Sequence, residues 1–314
     1  MSKHPLVSVL MPMYNAENTV ESALESIQKQ SYQNLEIICI NDGSDDATLS
    51  IVERIARLDS RIKLHNHEHR GIVHTLNKTI ELAHGKYLAR MDADDISRLD
   101  RIEKQVGYME SNPDIVASGG TIEIFDESGI LQTVSHHLKP EGLRYRLLFN
   151  WPIAHSTAII RRDALLNNKI RYSEKHTYVE DLKLFFDLSQ VGKLGNLPDV
   201  LLAYRRHATQ TTAKHKDRLN KLLHELKDDI YRSLCGKYAL NPASDNPREW
   251  RSKIPRNHDA IWTLLWYTVT HNTDLTKLKK LSLVLFTHLR LTAKPRLIFH
   301  IFKDSFRQRS SAKR

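Results

Sequence analysis

The stretch KYLARMDADD, residues 86–95, sets three aspartates directly behind a strand-like apolar run. Carboxylates this close to one another repel and raise each other's pKa, whereas a divalent cation that prefers oxygen ligands would stabilise them and hold a phosphate on its other side. Aspartates after a strand are equally common as helix N-caps or solvated loop residues. The cluster alone leaves two interpretations open, a metal-diphosphate site and a simple loop.

Around this stretch, the apolar residues alternate between the spacing of strands and that of helices. Strands are predicted at 6–11, 35–40, 62–64 and 87–89, with helices at 16–30, 47–58 and 73–83; further on, the pattern predicts a helix at 99–110 and strands at 115–118 and 121–125. Strands that alternate with helices predict an α/β fold, in which helices flank a mostly parallel sheet.

Polar residues follow three of the predicted strands, as Tyr14-Asn15, Asn41-Asp42 and Asp92 to Asp94. Ligands of open parallel sheets bind beyond the carboxyl ends of the strands, so we expect these clusters to converge on one crevice. Each cluster alone is typical of a turn or a cap, but their convergence is not. No glycine-rich phosphate-binding motif follows a strand, so carboxylates that hold a metal are the remaining way to neutralise a diphosphate.

Length and cysteine content indicate a globular protein of a reducing compartment. The 314 residues, 40% of them hydrophobic, suffice for one large domain and a smaller appendage. Cys39 and Cys235 show no spacing typical of a disulfide framework or a metal site, which favours the cytosol. No run approaches the roughly 18–20 apolar residues of a membrane span, so we expect neither secretion nor a transmembrane helix.

The formal net charge of +10 is concentrated at one end of the chain. Residues 1–213 contain 25 lysines and arginines against 28 acidic residues, whereas residues 214–314 contain 22 against 9. Such a segment attracts nucleic acid or an anionic lipid surface, so a non-catalytic polyanion-binding protein is an alternative from another class. Carboxylates at the strand ends would repel phosphates, and we therefore expect no nucleic-acid partner.

Five motifs, taken in their order and spacing, resemble the family 2 glycosyltransferases of the GT-A fold, which use nucleotide-diphosphate sugars. They are VSVLMPMYN (7–15), INDGSDD (40–46), MDADD (91–95), YVED (178–181) and LAYRRH (202–207). The resemblance covers roughly residues 5–213. It implies a catalytic domain at 1–213 and leaves 214–314 as a basic, mainly helical C-terminal region.

The resemblance also implies roles for individual residues. It places the uridine on Pro12, Tyr14, Asn15 and Asp42, the ribose or donor sugar on Asp92, the metal on Asp94 and His207, the catalytic base at Asp181, and the acceptor near His155 and Glu180. One departure is visible, because many relatives carry Arg-Asn where this chain has Leu76-Asn77. Arg70 or Arg90 would then supply the missing contact, and the sequence does not choose between them.

The implied reaction is an inverting sugar transfer from a UDP-sugar. Mn²⁺ or Mg²⁺ would offset the charge that develops on the diphosphate, and one carboxylate base would accept the proton of the acceptor hydroxyl. The segments at 152–155 and 170–207 are similar to bacterial lipooligosaccharide β-1,3-N-acetylglucosaminyltransferases, which implies GlcNAc as donor sugar and a glycan or glycolipid acceptor. Galactosyl- and glucosyltransferases share most of these residues and stay as alternatives.

Two other features allow weaker predictions. His65, His67 and His69 alternate, which would place them on one face of a strand, and we interpret them as a solvated strand end, since no nearby cysteine or carboxylate pattern completes a metal site. Helical periodicity at 214–232, 259–269 and 277–306 carries many basic residues. Such helices bind anionic membranes or cap the catalytic domain, so a peripheral position at the inner face of the cytoplasmic membrane is expected.

Overall fold

The computed structural model describes residues 4–135, 140–206 and 216–237. Nine strands of these residues form one mixed sheet, flanked by helices. In chain order the elements are β1 (Val7–Met13), α1 (Val20–Gln28), β2 (Leu35–Asp42), α2 (Thr48–Ala56), β3 (Ile62–His67), α3 (Ile72–Leu82), β4 (Tyr87–Arg90), β5 (Ile96–Ser97), α4 (Arg101–Ser111), β6 (Ile115–Asp126), β7 (Gly129–Val134), α5 (Pro140–Arg146), β8 (Ile159–Arg161), α6 (Arg162–Asn167), α7 (Glu180–Val191), β9 (Lys193–Arg205) and α8 (Lys216–Lys237).

The strands follow the order β3-β2-β1-β4-β8-β6-β9-β5, and β7 pairs with β6 at the side. The first four strands are parallel to one another, as the alternating pattern predicted. The remaining pairings are mixed: β8 is antiparallel to both β4 and β6, β5 is antiparallel to β9, and β6 is parallel to β9. Because β1 lies between β2 and β4, the ends of these three strands are neighbours.

The two strands predicted at 115–118 and 121–125 are wrong in one respect, since they form the single strand β6. The Gly119-Gly120 pair between them suggests a turn, but here it serves close packing. A Cβ at Gly119 would lie 2.6 Å from side-chain atoms of Ile153 and Thr157, and one at Gly120 would lie 2.5 Å from Leu201. The glycines therefore let neighbouring segments approach the strand.

The core explains why the central strands contain so few polar residues. All seven residues of β1 are buried, as expected for a parallel strand that is covered on both faces. The helix α1 buries Val20, Ala23, Leu24 and Ile27, which recur at helical spacing, against this sheet. Burial of one side chain of this size contributes roughly 1.5–3 kcal/mol.

The chain divides into two compact units, Met1–Ile230 and Tyr231–Arg314. The predicted helix at 214–232 is present as α8, and the predicted boundary at residue 213 stays a prediction. The helices predicted at 259–269 and 277–306 lie outside the described residues. Within the described ranges, no helix has the length and apolar character that a membrane crossing requires.

Candidate active site

The loops that follow β1 and β2 are joined by Asn15. Its backbone adopts a positive φ of 48°, and its N–H donates to Ser44 Oγ at 3.0 Å while its side-chain Oδ1 accepts from Asp45 N at 2.9 Å. Pro12 is buried within β1, opposite Ile40 of β2. Asn15 therefore connects the two loops through hydrogen bonds, and Pro12 lies in the strand that leads into the first of them.

Asp42, the last residue of β2, binds the backbone just before α3. Its carboxylate oxygens accept from the N–H groups of Arg70 and Gly71, both at 2.9 Å. The Nδ1 atoms of His67 and His69 lie 3.3 and 3.0 Å from the same carboxylate. His65 and His69 are exposed at the end of β3, as the interpretation of a solvated strand end predicted, and the pairing of β2 with β3 also brings His67 and His69 to a carboxylate that is 20 or more residues away in sequence.

Tyr14 provides an aromatic surface beside Asp42. Its ring is half-exposed and lies on the ring of His69, with 4.4 Å between the centroids. A stacked ring next to hydrogen-bonding groups is the chemistry that a nucleobase requires, since every base has a π-face. The side chain predicted to hold uridine is thus placed where stacking is available.

The aspartates behind β4 contact different partners. Asp92 Oδ1 accepts from Arg90 Nη2 at 2.5 Å, and the fully buried Asp95 accepts from the N–H of Arg205 at 2.9 Å. Burial and the charge of Asp94 raise the pKa of Asp92, and burial with both neighbouring carboxylates raises the pKa of Asp95 well above its usual range. The cluster is therefore electrostatically short of positive charge. We call residues 12–15, 42–46 and 92–95 the strand-end cluster.

The two arginines that the sequence left open differ in their surroundings. The side chain of Arg90 is buried against Asp92, whereas that of Arg70 is exposed and lies 3.5 Å from His74 Nε2. Asn77 is occupied elsewhere, because its amide pairs with the backbone N–H and C=O of Tyr172 at 3.0 and 2.9 Å.

A second arginine supports the first from the core. Arg101 is fully buried and donates to the carbonyl of Arg90 at 2.6 Å, and burial lowers its pKa to about 9. In sequence Arg101 resembles an ordinary charge at the start of a surface helix. Only the fold shows that it lies beneath the acidic residues.

The donor atoms of the strand-end cluster fit a hard divalent cation that is shared with a phosphate. No set of three histidine, cysteine or acidic side chains in the described residues is arranged to hold a metal alone, and His207 lies outside those residues. Mg²⁺-like ions commonly bind through one or two carboxylates together with substrate phosphates. Asp94, flanked by carboxylates with raised pKa values, provides this kind of incomplete site.

A second acidic group begins α7. Asp181 accepts from the N–H of Leu182 at 2.7 Å and from the side chain of Trp151. Burial raises the pKa of Asp181, whereas these donors and the positive charge of Arg90 oppose the rise. Burial and the charge of Asp181 raise the pKa of Glu180 to about 7.

His155 and Tyr172 complete this second group. His155 Nε2 lies 2.8 Å from the hydroxyl of Tyr172, which is buried. Burial and the charge of Arg90 hold the pKa of His155 well below its usual range, so its ring is neutral at pH 7. We call Glu180, Asp181, Trp151, His155 and Tyr172 the helix-start cluster.

The structure brings the two clusters within the electrostatic reach of one guanidinium. Arg90 pairs with Asp92 and also stabilises the charged forms of Glu180 and Asp181. Sequence reasoning missed Trp151, Tyr172 and Arg101. The only sequence feature that pointed to Trp151 was its position directly before segment 152–155. Its hydrogen-bond partner, Asp181, is 30 residues away in sequence.

Comparison with known proteins gives the family. Residues 8–168 match the family described as Glycosyl transferase family 2. An uncharacterized glycosyltransferase of Haemophilus influenzae is 38% identical over 251 residues, which cover 77% of this chain and 78% of that protein. The Escherichia coli UDP-Glc:alpha-D-GlcNAc-diphosphoundecaprenol beta-1,3-glucosyltransferase WfgD is 32% identical over 185 residues, which cover 58% of this chain and 70% of that protein.

Solved structures give the fold. S. aureus TarS 1-349 in complex with UDP-GlcNAc aligns with a TM-score of 0.61 at 16% identity, over 88% of this chain and 78% of that one. The mannosyltransferase PcManGT from Pyrobaculum calidifontis, in complex with GDP-Man and Mn²⁺, aligns with a TM-score of 0.55 at 19% identity, over 97% of this chain and 81% of that one. With the GT-A fold seen here and a family match over more than half of its residues, the chain belongs to glycosyl transferase family 2 and is a glycosyltransferase.

Proposed function

We propose that the protein transfers a sugar from a UDP-sugar to a glycan acceptor with inversion, and that Asp181 is the base. The observation that carries the proposal is the placement of the Asp181 carboxylate at the start of α7. Two N–H donors orient it there, and Arg90 links it electrostatically to Asp92 of the strand-end cluster. One base without a covalent sugar intermediate gives a β-linked product from an α-linked donor.

The donor is proposed to bind at the strand-end cluster. Tyr14 stacks on the uracil ring, Asn15 and Asp42 fix the loops around it together with Pro12, and Asp92 contacts the ribose or the sugar. The names of two similar proteins support a glucose-type sugar, since one is solved with UDP-GlcNAc and the other uses UDP-Glc. We propose GlcNAc in a β-1,3 linkage, with glucose and then galactose as the alternative sugars.

Asp94 is proposed to hold Mn²⁺ or Mg²⁺, with His207 as a further ligand. The cation would supply positive charge to the diphosphate as the glycosidic bond breaks. The side chains of the protein do the rest. Arg90 holds Asp92 in place. Asp181 accepts the proton of the acceptor hydroxyl while the oxygen of that hydroxyl bonds to the anomeric carbon, and UDP leaves with the electron pair of the broken bond.

The acceptor is proposed to be a glycan or glycolipid of the cell envelope, reached from the helix-start cluster with His155 and Glu180 at its edge. WfgD, whose name states a diphosphoundecaprenol-linked acceptor, supports this choice. A lipid-linked acceptor would require a position at the inner face of the cytoplasmic membrane. The basic C-terminal region is proposed to bind that anionic surface.

The test is UDP release from a panel of UDP-GlcNAc, UDP-Glc and UDP-Gal, with Mn²⁺ or Mg²⁺ and with lipid-diphosphate-linked GlcNAc as acceptor. Asp181→Asn should bind UDP as the wild type does and lose roughly 10²–10⁴-fold in transfer, the usual contribution of a general base. Asp187→Asn is the matched control, because Asp187 lies on the same helix in an ion pair with Lys183. Equal turnover of Asp181→Asn and the control would refute the role of the base.

A further inference from the structure

We propose that Trp151 is a positioning residue for the Asp181 carboxylate, and that α8 holds Trp151 in place through Lys227. This inference rests on the proposed role of Asp181 as base. It assigns to α8, at the start of the basic C-terminal region, a part in the chemistry of the site, in addition to any membrane attachment.

Trp151 contacts Asp181 from a loop that is held by local hydrogen bonds. The Arg146 side chain donates from Nε to the carbonyl of Trp151 at 2.9 Å, and the backbone N–H of Trp151 donates to Asn150 Oδ1 at 2.9 Å. The N–H of Phe149 in turn donates to the carbonyl of Arg146 at 2.8 Å. The loop therefore has one set of local hydrogen bonds, and its indole points to the carboxylate.

The outer support of this loop is a lysine of α8. Lys227 Nζ donates to the carbonyl of Phe149 at 3.1 Å, and it is flanked on its helix by the buried residues Leu226 and Ile230. Burial lowers the pKa of Lys227 to about 8, which is unusual for a lysine on a basic helix. A surface lysine would avoid this cost, so the contact marks a specific attachment of the helix.

The same helix also contacts the segment that leads into α7. The guanidinium of Arg218 lies 5.5 Å from the centre of the Tyr178 ring, and Tyr178 has a positive φ of 84°. Such a backbone conformation is strained for a residue with a bulky side chain. α8 therefore supports both segments that define the position of Asp181: the loop before Trp151 and the turn before Glu180.

The indole N–H should act on the reaction in a measurable way. A hydrogen bond to the charged form of a carboxyl lowers its pKa, and it also fixes which oxygen faces the acceptor. The other charged or titratable groups that face Asp181 are Glu180 from α7, Arg90 from β4 and Tyr172. Replacement of Trp151 leaves all three in the protein, so a change in the titration of the base reports the lost donor.

The experiment compares full-length wild type with Trp151→Phe, Trp151→His, Lys227→Met and the double variant Trp151→Phe/Lys227→Met. The readout is kcat and KM for UDP-GlcNAc from pH 5 to 9. Trp151→Phe should lower kcat about tenfold or more, keep the donor KM, and move the acid limb of the kcat profile by about one pH unit toward alkaline values. Trp151→His keeps a ring N–H and should restore part of the shift.

Lys227→Met should shift the limb in the same direction, and the double variant should lose no more than Trp151→Phe alone, because both changes act on one contact. Lys221→Met, an exposed lysine of the same helix, is the control and should match the wild type. An unmoved acid limb in Trp151→Phe, or additive losses in the double variant, would overturn the inference. If Asp181→Asn instead keeps full activity, the proposed base fails first, and the two failures are thereby distinguished.

Discussion

The strand-end cluster and the helix-start cluster are built in different ways. The first joins loops that follow adjacent parallel strands, so that hydrogen bonds such as those of Asn15 with Ser44 and Asp45 connect residues that strand pairing makes neighbours. The second is assembled from segments far apart in sequence, with Asp181 oriented by Trp151 and supported from α8 through Lys227. The comparison shows that the strand-end cluster follows from sheet topology, whereas the position of Asp181, the proposed base, depends on tertiary packing.

Arg90→Met tests the link between the two clusters and should have the largest effect. Removal of one partner of a buried ion pair typically costs about 3–5 kcal/mol in the free energy of unfolding, and the cost should lie near the lower end because the Asp92 side chain is 30% exposed. The pKa of Asp92 would rise further, and both UDP binding and transfer should fall. Urea unfolding and isothermal titration with UDP measure the two effects.

Arg70→Met is the matched control for Arg90→Met. Its side chain is exposed, so the change in the free energy of unfolding should stay within about 0.5 kcal/mol. If Arg70→Met weakened UDP binding more than Arg90→Met did, the exposed arginine would be the diphosphate contact. Arg90 would then not be the cation that links the strand-end cluster to the helix-start cluster.

The same contrast explains which parts of the fold and of the candidate site could be predicted from the sequence. The parallel strands β1 to β4 and the residues at their ends follow from apolar periodicity and from motifs that occupy single loops. The single strand β6 could not be predicted, because Gly119 and Gly120 suggest a turn until Ile153 and Leu201 are known to pack on them. The proposed role of Asp181 as base was inferred from the family resemblance of the motif at 178–181.

The partners of that base could not be predicted. Trp151 lies 30 residues from Asp181 and Lys227 lies 78 residues from Phe149, and no periodicity encodes such contacts or the nearer one of Tyr172. Arg101 is a further residue whose environment could not be predicted from the sequence. Its place at a helix start is typical of a surface charge, yet the packing of α4 buries it under Arg90.

Asp42→Asn should have the next largest effect, because it removes a hydrogen bond that Asp42 of the strand-end cluster makes to the backbone before α3. An amide can accept from only one of the N–H groups of Arg70 and Gly71 and would direct its own N–H at the other. The expected loss is about 1–3 kcal/mol in the free energy of unfolding, together with a higher KM for the UDP-sugar. Asp114→Asn makes the same change in charge outside the strand-end cluster, at a side chain that is 73% exposed, and should leave both quantities near the wild type.

Glu180→Gln should alter the pH dependence of stability in the helix-start cluster. The folded protein raises the pKa of Glu180 to about 7, so between about pH 4.5 and 7 the folded state binds a proton that the unfolded state has released. The stabilisation is complete below that window and is lost as the pH rises through it. Glu180→Gln should therefore flatten the fall in the urea midpoint between pH 5 and 8, and an unchanged slope would contradict the raised pKa.

Arg218→Met should have the smallest effect and marks the edge of the helix-start cluster. Arg218 is exposed and contacts only the face of the Tyr178 ring among the contacts seen here, and exposed cation–π pairs contribute about 0.5–1 kcal/mol. The acid limb of kcat should stay in place, because neither Trp151 nor Lys227 is touched. Thermal unfolding with paired pH profiles measures both outcomes. A shift of the limb as large as that of Lys227→Met would mean that the strained turn at Tyr178, and not the loop of Trp151, transmits the support of α8 to the base.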